Sequence, residues 1–256
     1  MNEKVFITGA SSGIGAALAT EYAKRGATLG ISARRSEKLQ SIAQQCKESG
    51  AADVFTYTLD VTDQDSSADT AKEFIAAANG INIIIANAGV AYSDKISSGE
   101  ATQINQVFST NVLGVTNSII PFVPTMKENS SGKIVIISSI ASFRPIAFHG
   151  GYSASKSAVR MLADSWRMAL KKYNIQLTAI CPGFIVSEMT NENKFPMPFL
   201  LETEDAARKI VKAIDNGKKT YILPWQVKMI LYATRWLPHH CIIKFSFNSL
   251  TVYSIN

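Results

Sequence analysis

The sequence predicts an α/β fold: a doubly wound, seven-stranded, mostly parallel sheet flanked by helices. Three observations predict it. Short β-rich runs alternate with longer helical patterns along most of the chain, and such alternation builds strand–helix–strand units. Several β-rich runs (VFIT, NIIIA, KIVII, LTAI) are almost continuously apolar, as strands covered on both faces must be. A glycine-rich turn directly follows the first run and opens the first helix. With 256 residues, 46% hydrophobic and 18% charged, the chain can bury a sizeable core and is not a disordered segment. Neither an internal repeat nor a linker divides it. A single domain over 1–256 is expected, with 225–256 as an extension.

The first strand, Lys4–Thr8, runs into Gly9-Ala10-Ser11-Ser12-Gly13-Ile14-Gly15 and a helix over 14–25. Glycines there permit a tight turn and close approach of backbone to a pyrophosphate, whose charge the free N–H groups and positive end of the helix hold. The spacing is not the commonest G-x-G-x-x-G. Its place between strand and helix is what makes it informative. The second strand, 28–32, ends in Ala33-Arg34-Arg35 before a helix over 36–49. An acid here would bind the ribose 2′-hydroxyl of NAD, whereas an arginine accommodates a 2′-phosphate. NADP(H) is the expected cofactor, with Arg34 favoured as phosphate ligand and Arg35 second.

A strand over 54–59 and a helix over 63–78 come next. The strand over 81–86 then delivers Asn87-Ala88-Gly89 to the carboxyl edge, where ligands bind in such sheets. Within a long apolar helix over 101–127, Asn111 is a buried amide in need of a partner. The strand over 132–138 hands over to Ser139 at the same edge. The helix over 152–173 opens with Tyr152-Ser153-Ala154-Ser155-Lys156, which puts a phenol and an amine one turn apart on one face. A free phenol titrates near about 10, and a neighbouring ammonium brings it toward the working range of an acid–base catalyst. A strand over 176–181, the pair Pro182-Gly183, a helix over 204–216 and a strand over 221–223 complete the body.

Over about residues 3–224 these features resemble the classical short-chain dehydrogenase/reductase family. Thr8 to Gly15 stands as its TGxxxGxG loop. Ala86-Asn87-Ala88-Gly89 stands as its NNAG motif with the first Asn replaced, which removes a structural side chain. Asn111, Ser139, Tyr152 and Lys156 stand as its catalytic residues, Pro182-Gly183 as its P-G motif, and Ser187 where the family has a threonine. The resemblance implies a Rossmann-like fold and hydride transfer between NADP(H) and a carbonyl or alcohol. In that chemistry Tyr152 moves the proton on oxygen, Lys156 depresses its pKa and contacts the nicotinamide ribose, Ser139 hydrogen-bonds the substrate oxygen, and Asn111 orders a water linking Lys156 to solvent. Implied cofactor contacts are Gly9, Ser11, Ser12, Gly13, Ile14, Gly15, Arg34, Arg35, Asp60 and Val61 beside adenine, Asn87, Ala88, Gly89, Tyr152, Lys156, Pro182, Gly183, Ile185 and Ser187. A homo-oligomer, dimer or tetramer, is implied as well.

Two segments are expected to line the substrate pocket: 140–149, and the stretch holding Met189, Phe195, Pro196, Met197, Pro198, Phe199, Leu200 and Leu201. Their character predicts an apolar substrate. His149 reads as a turn residue and Cys181 as an inert buried thiol. Beyond Pro224, residues 225–237 read as an amphipathic helix, with Met229, Ile230, Ala233, Trp236 and Leu237 on one face and Lys228, Tyr232 and Arg235 on another. Residues 216–256 carry five basic groups and no acid, leaving about +1 of the formal +6 for the rest. Nucleic acid is therefore not an expected partner; an anionic membrane surface, met peripherally, is. No apolar run reaches the ~20 residues of a membrane span, and the first residues lack a signal-peptide core. Three scattered cysteines (Cys46, Cys181, Cys241) suit a reducing cytoplasm, and no metal site is expected. The leading reading is an NADPH-dependent carbonyl reductase acting on an apolar, lipid-like ketone or alcohol. Two others stay open: a 3-oxoacyl carrier-protein reductase docking an acidic carrier on its basic tail, and an NADPH-sensing binding protein, which would not require the Tyr152–Lys156 pair.

Overall fold

Seven strands lie in the order β3-β2-β1-β4-β5-β6-β7 in the computed structural model, which describes residues 2–191 and 197–234. They are β1 (Lys4–Thr8), β2 (Thr28–Ala33), β3 (Asp53–Thr58), β4 (Ile83–Ala86), β5 (Gly132–Ile137), β6 (Ile175–Pro182) and β7 (Thr220–Leu223). Every neighbouring pair is parallel, so the sheet is wholly rather than mostly parallel. The helices are α1 (Gly13–Ala23), α2 (Ser36–Glu48), α3 (Gln64–Ala77), α4 (Thr102–Phe108), α5 (Gly114–Ile119), α6 (Val123–Glu128), α7 (Gly150–Leu170), α8 (Glu188–Asn191), α9 (Thr203–Asp215) and α10 (Trp225–Thr234). Strand order reverses between β1 and β4, and a crevice forms outside the carboxyl ends there.

The continuous apolar runs divide residue by residue between two cores, because successive side chains point to opposite faces. Val5 and Ile7 of β1 and Ile83 and Ile85 of β4 pack with Leu18 and Tyr22 of α1 and Ile210 and Ile214 of α9. Phe6 and Ile84 point the other way, to Phe74 of α3, Phe122 and Val159 of α7. Phe6 meets Phe74 and Phe122 with ring centroids 5.2 and 5.1 Å apart. Each such fully buried side chain contributes about 1.5–3 kcal/mol of transfer free energy.

The helix expected in one piece over 101–127 is interrupted. A π-turn, Ser109–Leu113, separates α4 from α5, and a 3-10 turn, Ile120–Phe122, separates α5 from α6. Pro121 and Pro124 withhold backbone donors, which accounts for the second break. The first brings Asn111 fully inside. In length and composition the run Thr102–Glu128 could cross a membrane, contrary to the expectation that no run could. Here it buries Val107, Val115, Ile119, Phe122 and Met126 within the fold.

Helix α10 also differs from expectation. Val227 faces the body, while Trp225, Met229, Ile230 and Tyr232 are exposed, so apolar side chains occupy both sides. The expected Arg235, Trp236, Leu237 and everything after them, Cys241 included, lie outside the described residues, as do Phe195 and Pro196.

Candidate active site

The loops after β1 and β4 are stitched together. Asn87 Nδ2 donates to the carbonyls of Thr8 and Gly9, each at 3.0 Å, and Thr8 Oγ1 accepts the N–H groups of Asn87 and Ala88 at 3.1 and 3.2 Å. The tie holds with Ala86 in place of the family's first asparagine. Gly15 cannot carry a side chain: a Cβ there would stand 2.4 Å from the Gly9 carbonyl oxygen and 2.5 Å from Asn87 Nδ2. Glycine thus lets the amino end of α1 close onto the loop.

The same edge assembles the polar centre. Asn111 Oδ1 accepts the Val90 N–H at 2.8 Å, while Nδ2 donates to the Val90 carbonyl at 2.9 Å and to Ser155 Oγ at 3.0 Å. Lys156 is buried, and its Nζ donates to the Ile137 carbonyl at 2.9 Å. Between them lies Gly89, where a Cβ would meet Asn111 Oδ1 at 3.1 Å and Lys156 Nζ at 3.3 Å. Asp94, in the loop after β4, accepts the Gly151 N–H and so caps the helix that carries Tyr152. Ser139 Oγ accepts the Ala141 N–H at 3.1 Å and is hydrogen-bonded to the Tyr152 phenol.

Burial dominates the electrostatics. It raises the Tyr152 phenol above its ordinary value, with the Ser139 hydrogen bond opposing. It pushes the Lys156 ammonium down to about 8. The Lys156 ammonium, 5.8 Å from the Tyr152 ring centroid, does not bring the phenol below its ordinary value. Desolvation of the charged form is the largest cause for both groups. Burial also holds the Cys181 thiol up at about 11, so it stays protonated beneath the site.

At the other end of the crevice, Arg35 donates to Ser11 Oγ at 3.1 Å, Ser12 Oγ at 2.9 Å and the Glu188 carboxylate at 2.7 Å. Lys38 Nζ reaches the second Glu188 oxygen at 2.5 Å. These hydrogen bonds, from Lys38 first and Arg35 second, pull Glu188 down to about 2. Arg34, the favoured arginine, is exposed and has no hydrogen bond or ion pair among the described residues. Arg35 is the one bound into the glycine loop.

One cavity of about 490 Å³ joins the two ends. Of the expected site residues only Gly15 and Asn111 stand behind its wall; all the others line it. Ile140, Ile146, Phe184 and Met189 make an apolar portion beside Tyr152. His149 lines the cavity too, its Nδ1 3.1 Å from the Tyr92 carbonyl, and is more than a turn residue. Phe199 and Leu200 are exposed away from the cavity, and Leu201 pairs with Ile185 on the body. Sequence reasoning missed Lys38, Asp94, Ser155 and Glu188. Ser155 was within reach, lying inside the Tyr152–Lys156 turn. Asp94 and Glu188 meet partners 57 and about 150 residues away, which no local spacing signals.

The short chain dehydrogenase family model matches residues 3–196. An uncharacterized oxidoreductase of Myxococcus xanthus (strain DK1622) is 35% identical over 233 residues, covering 91% of this chain and 92% of that protein. An 11-beta-hydroxysteroid dehydrogenase-like 2 protein of Arabidopsis thaliana is 33% identical over 234 residues, covering 88% and 75%. The solved alcohol dehydrogenase of the archaeon Thermococcus sibiricus, complexed with 5-hydroxy-NADP, has a TM-score of 0.78 at 25% identity, covering 87% of this chain and 96% of that one. Since the family model takes in six of the seven strands and every polar side chain gathered around Tyr152, the chain belongs to the short-chain dehydrogenase/reductase family of oxidoreductases.

Proposed function

We propose that the protein is an NADP(H)-dependent carbonyl reductase, running as an alcohol dehydrogenase in reverse, on an apolar and lipid-like ketone or alcohol. One observation carries the reading: a single cavity connects Arg35, Ser11 and Ser12 to Ser139 and Tyr152. The residues fit a dinucleotide. A carboxylate already rests on Arg35 where a phosphate charge would, and Gly15 lets the positive end of α1 close under the loop. Arg35 with Arg34 would take the 2′-phosphate, Asp60 and Val61 would border adenine, and Asn87 to Gly89 with Pro182, Gly183, Ile185 and Ser187 would hold the nicotinamide half. Bound, that cofactor supplies or accepts the hydride.

The chain's own residues handle the oxygen and its proton. Ser139 hydrogen-bonds the substrate oxygen while Tyr152 gives or takes the proton there. A protonated Tyr152 suits reduction, in which the oxygen must gain one. Lys156, with its ammonium at about 8, trades protons near neutral pH. Asn111 orders the water through which Lys156 reaches solvent, a role supported by both side chains reaching Gly89 from opposite elements.

The apolar wall formed by Ile140, Ile146, Phe184 and Met189 supports the substrate class. The steroid named for the Arabidopsis relative is a substrate of that kind. Exposed Met161 and Met168 of α7, with Leu113 and Ile120, support a homo-oligomeric contact face. Exposed Trp225, Met229 and Ile230 support peripheral membrane contact, and the unpaired thiols of Cys46 and Cys181 support a cytoplasmic setting.

The test is NADPH consumption against ketones of increasing chain length. Activity should climb steeply with length. A flat response would overturn the lipid-like substrate, and activity confined to thioesters on an acidic carrier protein would move the reading to a 3-oxoacyl reductase.

A further inference from the structure

One carboxylate in the cavity wall has no part in the chemistry above. Glu188 opens α8, and its two oxygens are shared out: Oε2 accepts from Arg35 Nη1 at 2.7 Å and from Ser12 Oγ at 3.2 Å, Oε1 from Lys38 Nζ at 2.5 Å. The second amino group of Arg35 holds Ser11 and Ser12. Two cations and a hydroxyl of the glycine loop, at the carboxyl end of β2, are the donors a phosphate monoester would recruit. The neighbouring Ser187 lies against that loop, 3.4 Å from where a Cβ of Gly13 would stand. The side chains of Arg35, Lys38 and Glu188 are 45, 52 and 49% exposed, so water can replace each bond and the pairs separate cheaply.

We infer that Glu188 is a built-in competitor for the cofactor's 2′-phosphate. In the free protein it fills the anion site and keeps Arg35 and Lys38 pointed at it. NADPH, which brings a phosphate to the same donors, has to displace it. NADH has no group to place there and leaves Glu188 bound. The two cofactors therefore leave α8 in different states: tied to α2 with NADH, released with NADPH. The inference rests on the NADP(H) reading of the site.

Dissociation constants of NADPH and NADH for the wild type and Glu188→Gln test it. Removing the competing charge should tighten NADPH about threefold, the equivalent of one exposed ion pair, and leave NADH unchanged. Hydrogen exchange at the amides of α8 should be faster with saturating NADP+ than with saturating NAD+ in the wild type, and equal in the variant. An NADPH affinity that Glu188→Gln fails to raise, or equal exchange in the wild type, overturns the competitor and spares the cofactor reading. A wild type that binds NADH more tightly than NADPH, with Glu188→Gln still raising NADPH affinity, overturns the cofactor reading and spares the competitor.

Discussion

Asn111 and Ser155 meet at 3.0 Å, and that bond fastens the π-turn to the helix bearing Tyr152 and Lys156. Replacing Asn111 with Leu removes this bond and orphans both backbone groups of Val90. A buried polar group left unpaired costs about 1–3 kcal/mol, and Val90 is only partly buried at the cavity wall, so a loss of roughly 1–2 kcal/mol is expected. Urea denaturation measures it, and an unchanged midpoint would refute the structural tie.

Tyr152→Phe keeps the ring and removes the proton carrier. Turnover should fall about 10²- to 10⁴-fold, the range of general acid–base catalysis, with NADPH affinity unchanged. Steady-state kinetics and a fluorescence titration separate the two effects. A variant that is catalytically dead yet fully supports the protein's biological role would favour the sensing alternative.

Lys156 makes stability depend on pH. Its ammonium is held at about 8, below an ordinary 10.5. Between these values the unfolded chain binds a proton that the folded protein has released, so stability rises with pH and the cost of burying the charge is full below 8. That gain is at most roughly 3 kcal/mol. The thiols of Cys46 and Cys181, held up at about 11, act oppositely as pH rises past 9. The informative quantity is thus the difference between wild type and Lys156→Met, which should grow in the wild type's favour from pH 8 to 10.5. Parallel profiles would show that the ammonium is not desolvated.

Arg35→Ala should weaken NADPH about tenfold or more, one lost charge-assisted hydrogen bond being worth roughly 1.5–3 kcal/mol. Arg34→Ala should cost less, because its guanidinium is exposed and unengaged among the described residues. Affinity for NADH should change little in either. Equal losses would show that both arginines share the phosphate.

Helix α10 offers a separate test. Met229→Glu with Ile230→Glu places two acids on its exposed side without touching Val227. Flotation with anionic liposomes should fall several-fold while unfolding temperature stays constant. Flotation equal to wild type would end the membrane reading.

Why some of this was readable in the amino-acid order and some was not follows from where the partners lie. β1 and β4 announced themselves because a strand covered twice has no polar face, as Phe6 between Val5 and Ile7 shows. The glycine loop, Ser139 and the Tyr152–Lys156 turn were legible because each motif is local. The break at Asn111 was not: it depends on Val90, which arrives from another loop. That Arg35 rather than Arg34 is tied to the glycine loop likewise depends on Ser11, Ser12 and Glu188, three residues that only the fold brings together. The anchoring of α10 through Val227 was not legible either, because one apolar side chain among several gives no sign of which meets the body.

Because all seven strands point the same way, Lys4 begins β1 beside Thr28 at the border of the sheet remote from the crevice. A tether at the amino terminus therefore attaches to the back of the molecule. Immobilised on a bead or fused to a reporter through that end, the enzyme would turn its open mouth toward the bulk solution, and diffusion of substrate into it would be left unshaded.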